Sequence, residues 1–186
     1  MKLILISDLH GQPKTLNSLR AVLESERFDG LICSGDITYR DEVGFLNEFF
    51  AILKGKGVDA ALIWGNSDEA RSQEIILNSP YNCHLEQKKI GAVKIYGVSY
   101  SEEPILPDSQ KIKGNILVTH KPPLKNQLKR PLSNAPKIHI SGHIHSAKQM
   151  VEYPCVTHIQ VPSLILRQYA VLSLPDIKVE FRYSSV

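Results

Sequence analysis

Five short polar clusters, each placed just after an apolar run, carry side chains that could bind metal ions. They are Asp8-Leu9-His10, Gly35-Asp36, Gly65-Asn66, Thr119-His120 and Gly142-His143-Ile144-His145. Their carboxylate, imidazole and amide groups are all ligands of divalent metals. A single cluster would mean little, because a Gly-Asp or an Asp-x-His arises often by chance. The ordered set of five predicts one composite metal site.

The apolar runs before these clusters predict buried strands of a sheet that is covered on both faces. The runs are Leu3 to Ile6, Leu31 to Cys33, Ala60 to Trp64, Ile116 to Val118 and Ile138 to Ile140. In such sheets, ligands bind beyond the carboxyl ends of the strands. We therefore expect the five clusters to meet at one edge of the fold.

The spacing of the candidate ligands favours two metal ions. Asp8 and His10 stand two residues apart, as do His143 and His145, and in an extended segment such pairs point to the same side. Asp8 and His10 can then reach one ion, whereas His143 and His145 can reach one ion or straddle two. A catalytic ion usually takes about three protein ligands, and Asp36 is a carboxylate that could bridge. Imidazole and carboxylate without thiolate favour Mn, Fe, Ni, Co or Zn over Mg or Ca, and we expect Mn.

The segments between and after these runs predict further helices and strands. Pro13 to Arg27 and Glu42 to Lys54 have apolar residues at near-helical spacing, and their alternation with strands indicates right-handed parallel crossovers. After Tyr81 strand patterns dominate, with a hairpin around Gly91. The predicted later strands are Leu85 to Lys89 and Val93 to Val98, followed by strand-rich segments at Tyr153 to Val161, Tyr169 to Leu174 and Ile177 to Tyr183. Two packed sheets with helices outside fit both halves.

Length and composition predict a single domain in a cytoplasmic protein. The chain has 186 residues, of which 42% are hydrophobic, enough for one sizeable core and few for two. No apolar run approaches the roughly 20 residues of a membrane span, and the aliphatic run after Lys2 is too short for a signal-peptide core. Cys33, Cys83 and Cys155 are odd in number and widely spaced, so neither a disulfide framework nor a zinc knuckle is indicated.

Positive charge is concentrated around three of the candidate ligands. Ser109 to Val151 contains no Asp or Glu. Its basic residues are Lys111, Lys113, Lys121, Lys125, Lys129, Arg130, Lys137 and Lys148. A solvated basic loop would explain this charge, and attraction of a phosphorylated small molecule is the alternative. Nucleic acid is a weaker alternative, because the stretch has no aromatic residue on which a base could stack.

The five clusters resemble, in order, the motifs of the calcineurin-like metallophosphoesterases, which run Asp-x-His, Gly-Asp, Gly-Asn-His-Asp/Glu, His and Gly-His-x-His. The match extends from Met1 to about Leu174. Ile6 to Gly11 and Val118 to Pro123 further resemble the small Icc-related branch of prokaryotic phosphoesterases. The resemblance implies an α/β fold, a four-layer αββα sandwich in which two mixed β-sheets are flanked by helices.

The resemblance also implies a role for each candidate ligand. It places Asp8, His10 and His145 on one ion, Asn66, His120 and His143 on the other, and Asp36 between them. The implied activity is hydrolysis of a phosphoester, expected to be a phosphodiester, by hydroxide formed from a metal-bridging water. Asp36, Asn66 and His120 would then act through metal and phosphate, with no protein nucleophile. A non-catalytic protein-binding scaffold, like a retromer subunit that shares this fold, and a nuclease are the alternatives.

One position departs from the family pattern. Gly65-Asn66-Ser67-Asp68 has serine where many members have the histidine assigned to transition-state stabilisation or leaving-group protonation. A serine hydroxyl is too weak an acid for that role at neutral pH, so we expect a preference for good leaving groups. Asp68 would orient the histidine in the usual arrangement. Here we expect Asp68 to cap the helix predicted near Glu69 to Leu77.

Two further histidines follow other strand patterns. His139 alternates with Ile138 and Ile140, so we expect it to point away from the site and to have a structural role. His158 precedes Val161-Pro162-Ser163, where related proteins often have Asn-Pro-Gly-Ser. A structural role and a role in orienting metal ligands remain alternatives for His158.

Overall fold

The structure, a computed structural model, describes residues 1–102, 109–123 and 135–186. Its strands are β1 (Lys2–Ile6), β2 (Gly30–Cys33), β3 (Ala60–Leu62), β4 (Gln87–Ile90), β5 (Val93–Val98), β6 (Ile116–Thr119), β7 (Ile138–Ser141), β8 (Gln149–Glu152), β9 (Thr157–Gln160), β10 (Gln168–Ser173) and β11 (Lys178–Tyr183). Its helices are α1 (Pro13–Ser25), α2 (Val43–Gly55), α3 (Ala70–Leu77) and α4 (Ser109–Ile112), and a 3-10 turn spans Leu164–Leu166. Lys125, Lys129 and Arg130 of the basic stretch lie outside the described residues.

The strands form two mixed sheets. The five-stranded sheet has the order β11-β10-β1-β2-β3, in which β1, β2 and β3 are parallel and β10 and β11 are antiparallel to their neighbours. The six-stranded sheet has the order β4-β5-β6-β7-β9-β8, in which β5, β6, β7 and β9 are parallel. The hairpin predicted around Gly91 is β4 and β5. The sequence did not predict β8, because it is an edge strand whose residues are largely exposed and show no apolar alternation.

Side-chain alternation along the strands separates two large apolar cores. Ile4 and Leu31 face one way and pack with residues of α1, α2 and α3, such as Leu19 and Phe49. Leu3 and its neighbours on the opposite face of the same sheet pack against the six-stranded sheet. The first core therefore joins helices to a sheet, and the second joins the two sheets.

The fourth layer covers the outer face of the six-stranded sheet. Ile112 of α4 is buried there with Tyr96 and Leu117. The layers thus run helix, sheet, sheet, helix, which confirms the predicted αββα sandwich. In the described part of the chain, no helix combines the length and the apolar character needed to cross a membrane.

Candidate metal centre

The polar clusters lie where parallel strands of both sheets end. β1 and β2 end shortly before Asp8 and Asp36, and β6 ends immediately before His120. β7 ends at Ser141, immediately before the cluster that carries His143. Because the carboxyl ends of parallel strands share one edge, the two sheets together deliver the clusters to one place. Side chains from four of these strand ends form two groups that could each hold a metal ion: Asp8, His10 and His145, and Asp36, His120 and His143.

Left-handed backbone turns aim several of these side chains. Asp8, His10, Asp36 and His143 have φ angles of 55°, 50°, 52° and 71°, a conformation that costs a non-glycine residue about 1–3 kcal/mol and is found at functional sites. The N–H groups of Leu9 and His10 both donate to the Asp36 carbonyl, at 2.8 and 3.0 Å. Asp8 and His10 therefore converge through a left-handed turn. The extended segment assumed from their spacing is wrong.

Two glycines let the loops after β2, β3 and β6 approach closely. A Cβ on Gly35, whose φ is 101°, would lie 2.7 Å from the Gly65 nitrogen and 2.8 Å from His120 Nδ1. A Cβ on Gly65 would overlap the carboxylate of Asp36. Any larger residue at either position would therefore displace Asp36 or His120.

The first group is built around an unpaired carboxylate oxygen. Asp8 Oδ1 lies 3.8 Å from His10 Nε2 and 3.6 Å from His145 Nε2, and the two imidazole nitrogens are 3.0 Å apart. Asp8 Oδ1 is buried and has no hydrogen-bond partner within the described residues. Because leaving a buried carboxylate oxygen unpaired is costly, a cation bound among these three atoms would satisfy it. This donor set fits a divalent metal.

The second group converges on His120. Its Nδ1 donates to the Ser34 carbonyl at 2.8 Å, so in the neutral imidazole Nε2 is left to accept. That nitrogen lies 3.2 Å from Asp36 Oδ2, 3.0 Å from Asn66 Oδ1 and 3.3 Å from His143 Nδ1. Burial lowers the pKa of His120, but the hydrogen bond and charge of Asp36 outweigh it and the pKa is raised. Asp36 thus favours a second proton on the ring, at Nε2, and a metal ion bound here would take the place of that proton.

Asp36 Oδ2 lies between the two groups, 3.5 Å from His10 Nε2 and 3.2 Å from His120 Nε2. The Ser67 N–H donates to Asp36 Oδ1 at 2.7 Å, and Ser67 Oγ donates to Oδ2 at 3.1 Å. Burial raises the pKa of Asp36, but its hydrogen bond with His120 and the nearby imidazoles outweigh burial, and the pKa is lowered. The carboxylate is therefore ionised at neutral pH and placed to contact ions in both groups.

Asp68 does not cap the helix, so that prediction is wrong. Its buried carboxylate accepts hydrogen bonds from the Ile37 and Thr38 N–H groups, from Thr38 Oγ1 and from the Gly65 N–H, at 2.7 to 3.2 Å. Burial raises the pKa of Asp68 to about 6, and these hydrogen bonds act in the opposite direction. Asp68 therefore ties together the loops that carry Asp36 and Asn66.

Backbone N–H groups in the first turn of α3 are bonded to a side chain from another segment of the chain. Glu69 is the N-cap residue and makes no side-chain cap hydrogen bond. Asp41 Oδ1 instead accepts from the N–H groups of Arg71 and Ser72, at 3.1 Å each. A carboxylate distant in sequence thus has the role that local spacing predicted for Asp68.

Sequence reasoning also missed a group that joins the first and last clusters. Ser163 Oγ donates to the Asp8 carbonyl at 2.7 Å, and the Ser163 N–H donates to the His145 carbonyl at 3.0 Å. Asp8 Oδ2 accepts from the His143 N–H at 3.1 Å. The Val161-Pro162-Ser163 run lies where related proteins often have Asn-Pro-Gly-Ser, but the sequence did not indicate which residues Ser163 contacts.

Lys121 brings positive charge to the second group. Burial lowers the pKa of His143, and the charge of Lys121 contributes in the same direction. The Lys121 ammonium lies 4.6 Å from the centre of the Tyr100 ring. Backbone and indole hydrogen bonds at 3.1 Å tie Tyr100 to Trp64. A cation held beside a metal site favours an anionic ligand.

Residues 1–161 match the sequence model of the calcineurin-like phosphoesterase superfamily domain. The chain belongs to this superfamily. The family resemblance predicted from the sequence is therefore confirmed, and the family is one of metal-dependent phosphoester hydrolases. Family members use divalent metals, and the two groups described above are candidate sites for them.

Solved structures share the fold along almost the whole chain. A Thermus thermophilus protein has a TM-score of 0.73 at 14% identity over 98% of both chains. A protein reported as an archaeal phosphodiesterase has a TM-score of 0.64 at 15% identity, over 98% of this chain and 99% of its own. A dimetal phosphatase from Danio rerio has a TM-score of 0.67 at 12% identity, over 99% and 96%. At these identities the likeness shows the fold alone, and no curated protein matches the sequence significantly.

Proposed function

We propose that this metallophosphoesterase hydrolyses phosphodiesters with two divalent metal ions, with Mn²⁺ as the expected metal. The observation that carries the proposal is the position of Asp36 Oδ2, within 3.5 Å of His10 Nε2 in one group and 3.2 Å of His120 Nε2 in the other. Two ions that share a carboxylate suit phosphoester hydrolysis, because they can hold both the attacking and the leaving oxygen. The archaeal phosphodiesterase and the dimetal phosphatase of the same fold support this choice.

In this proposal the ligands divide by their groups. The first ion would be held by Asp8, His10 and His145, and the second by Asn66, His120 and His143. Asp36 would contribute to both. Asn66 is included because its Oδ1 lies 3.0 Å from His120 Nε2. As a neutral oxygen donor, it keeps the negative charge of the centre low enough to accept an anionic phosphate.

Bound ions of this kind lower the pKa of a coordinated water and neutralise charge on the phosphoryl oxygens. The chain's own residues fix the geometry. The hydrogen bonds from Ser67 hold both oxygens of Asp36 in place, and the ammonium of Lys121 attracts the phosphate to the second group. Because the Ser67 hydroxyl donates to Asp36 and is a weak acid, leaving-group departure receives no proton from this position. We therefore expect a preference for substrates with good leaving groups.

We propose a small phosphorylated molecule in the cytoplasm as the substrate. The charge of Lys121, immediately after His120, supports an anionic ligand. Nucleic acid is less well supported, because the basic stretch from Ser109 to Val151 has no aromatic residue in its sequence. The preference for a diester over a monoester rests on the archaeal phosphodiesterase of similar fold.

The test compares a bis-aryl phosphodiester, an aryl phosphomonoester and a cyclic nucleotide, using protein stripped of metal and then supplied with Mn²⁺, Zn²⁺ or Mg²⁺. We expect Mn²⁺-dependent hydrolysis, with the bis-aryl diester turned over faster than the monoester carrying the same leaving group. Asp36→Ala is the control for contaminating phosphatases, and its activity should be lower on the order of 10³-fold. Faster hydrolysis of the monoester would contradict the diester assignment, and hydrolysis that survives without metal would contradict the metal mechanism.

A further inference from the structure

Two histidines lie side by side on the outer face of the six-stranded sheet, and the metal centre does not use them. His139 and His158 are register partners on β7 and β9, and their ring centroids are 5.4 Å apart. Their side chains alternate with Ile138, Ile140 and Ile159, which face the core between the sheets. His139 is 5% exposed and His158 is 4% exposed. The buried polar rings therefore need partners of their own.

His139 contacts the hydroxyl of Thr119, the last residue of β6. Thr119 Oγ1 donates to the Lys121 carbonyl at 2.7 Å and lies 2.8 Å from His139 Nε2. A hydroxyl has one proton to donate, so at the second contact the imidazole is the donor. His139 therefore holds a proton on Nε2 and orients Thr119, which fixes the turn that follows His120.

His158 begins a longer series of hydrogen bonds. Gln160 Nε2 donates to the Gly142 carbonyl at 2.5 Å, and because a carbonyl only accepts, this contact sets the orientation of the amide. Gln160 Oε1 then accepts from Ser141 Oγ at 3.0 Å. Having donated its proton, Ser141 must accept from His158 Nε2, which lies 2.9 Å away. The series thus runs from His158 through Ser141 and Gln160 to the backbone of Gly142.

The peptide between Gly142 and His143 is held from both sides. Gln160 fixes its carbonyl, and its N–H, which belongs to His143, donates to Asp8 Oδ2 at 3.1 Å. The Gly142 N–H donates to the His120 carbonyl at 3.0 Å. Restraint is needed here, because His143 has a φ of 71° and a left-handed residue relaxes unless its surroundings hold it. His145 has a separate backbone anchor in Ser163.

We propose that Gln160, oriented by Ser141 and His158, is a positioning residue for His143, and that the His139 and Thr119 pair positions the turn after His120. The inference rests on the proposed function, since it takes both histidines as ligands of the second ion. Partners behind metal ligands fix ligand orientation and commonly alter metal affinity when they are replaced. Burial lowers the pKa of His139 to about 3 and that of His158 to about 4, so both rings stay neutral donors at neutral pH.

The experiment measures Mn²⁺ binding to metal-free protein by calorimetry, with the free energy of unfolding of each variant measured in parallel. Gln160→Met keeps the length of the side chain and removes both of its hydrogen bonds. We expect one of the two Mn²⁺ sites to weaken by about 10–100-fold, the range found for residues behind metal ligands, while the other changes little. Leu117→Ala is the matched control, because Leu117 is buried on the same face of the sheet beside His139 and its apolar side chain has no donor or acceptor for a hydrogen bond. It should lower stability and leave both affinities within about twofold of wild type.

Ser141→Ala provides a second variant should Gln160→Met fail to fold, since it removes one hydroxyl and leaves Gln160 in place. It should weaken the same Mn²⁺ site by a smaller factor. Wild-type affinity at both sites in Gln160→Met or Ser141→Ala would overturn the inference. Equal weakening in Leu117→Ala would also overturn it, because stability alone would then explain the effect. A wild-type protein that binds no Mn²⁺ would instead refute the proposed metal centre itself.

Discussion

The two groups of the candidate metal centre differ in burial and in the hydrogen bonds that hold them. The exposed half is formed by Asp8, His10 and His145, and the buried half by Asp36, His120 and His143. The His120 side chain is fully buried and its Nδ1 is bonded to the Ser34 carbonyl, whereas the His145 side chain is 45% exposed. The first half instead leaves the buried Asp8 Oδ1 without a hydrogen-bond partner within the described residues. The comparison indicates that the buried half is organised by the protein. The exposed half would be completed by a bound ion, which should exchange with solvent more readily than an ion in the buried half.

Asp36→Ala should have the largest effect, because it removes the carboxylate shared by the halves. Activity with Mn²⁺ should fall on the order of 10³-fold, the scale expected when a major electrostatic element of a catalytic site is lost. Both ions should bind weakly, while circular dichroism and thermal unfolding of the metal-free protein change little, since the core lies elsewhere. Full activity with two bound ions in this variant would show that the halves do not share Asp36.

Loss of one imidazole from each half tests their difference directly. His120→Ala should lower the affinity of one ion by about 100-fold and His145→Ala that of the other by about 10-fold, the two ends of the range for groups that determine metal affinity. The buried half should lose more because its remaining groups are held in place and cannot adjust. Metal content after dialysis at fixed free Mn²⁺ measures both effects. Loss of both ions in both variants would mean that the halves act as one unit.

Asp68→Asn should lower the free energy of unfolding by loosening the loops that carry residues of the buried half. The amide replaces an acceptor oxygen with a donor that faces backbone N–H groups, so hydrogen bonds to the loops carrying Asp36 and Asn66 are lost. Leaving such donors unpaired should lower the free energy of unfolding by about 2–3 kcal/mol. Asp41→Asn is a control at the exposed start of α3 and should cost less. Equal costs measured in urea would contradict the importance of Asp68.

The histidines behind the buried half predict a pH dependence of stability. The pKa values of His139 and His158 are lowered to about 3 and about 4, below the roughly 6.5 of the unfolded chain. The unfolded state therefore gains protons first as pH falls, and stability is lost from about pH 6.5 down to about 4 for His158 and about 3 for His139. Each histidine contributes up to about 1.4 kcal/mol per pH unit in that range. In urea unfolding of the metal-free protein, His158→Gln should show a shallower pH dependence than wild type. If His158→Gln and wild type showed the same pH dependence, the pKa of His158 would not be lowered in the folded protein.

Ser67→His should have the narrowest effect, confined to substrates with poor leaving groups. A new imidazole could protonate the leaving group, for which a positioned acid supplies up to about 10²–10⁴-fold, but the substitution also removes the Ser67 hydroxyl from Asp36. Ser67→Ala isolates that second change and should lower turnover by less than about tenfold. The measurement is the slope of log rate against leaving-group pKa. A slope that stays equal in Ser67→His and Ser67→Ala would show that this position does not deliver protons.

The sequence predicted the layers and the two groups of candidate residues far better than the contacts that support them. Strands such as β1 and β6 are continuous apolar runs, and the clusters follow them directly, so the local pattern was sufficient to predict one composite site. The division of its residues into two groups came from the family resemblance. The role of Asp68 was missed, because its partners Ile37 and Thr38 are distant in sequence and the competing cap comes from Asp41. Gln160 was missed for the same reason. Its residue type carries no signal until β7 and β9 pair and bring it to Gly142.

Electron paramagnetic resonance of Mn²⁺-loaded protein tests the central claim that two ions share Asp36. Two ions held about 3.5–4 Å apart are magnetically coupled, so we predict two Mn²⁺ per chain and the multiline spectrum of a coupled pair. In Asp36→Ala any remaining Mn²⁺ should give the six-line spectrum of isolated ions. A wild-type protein that binds a single Mn²⁺, or two ions without coupling, would contradict the account.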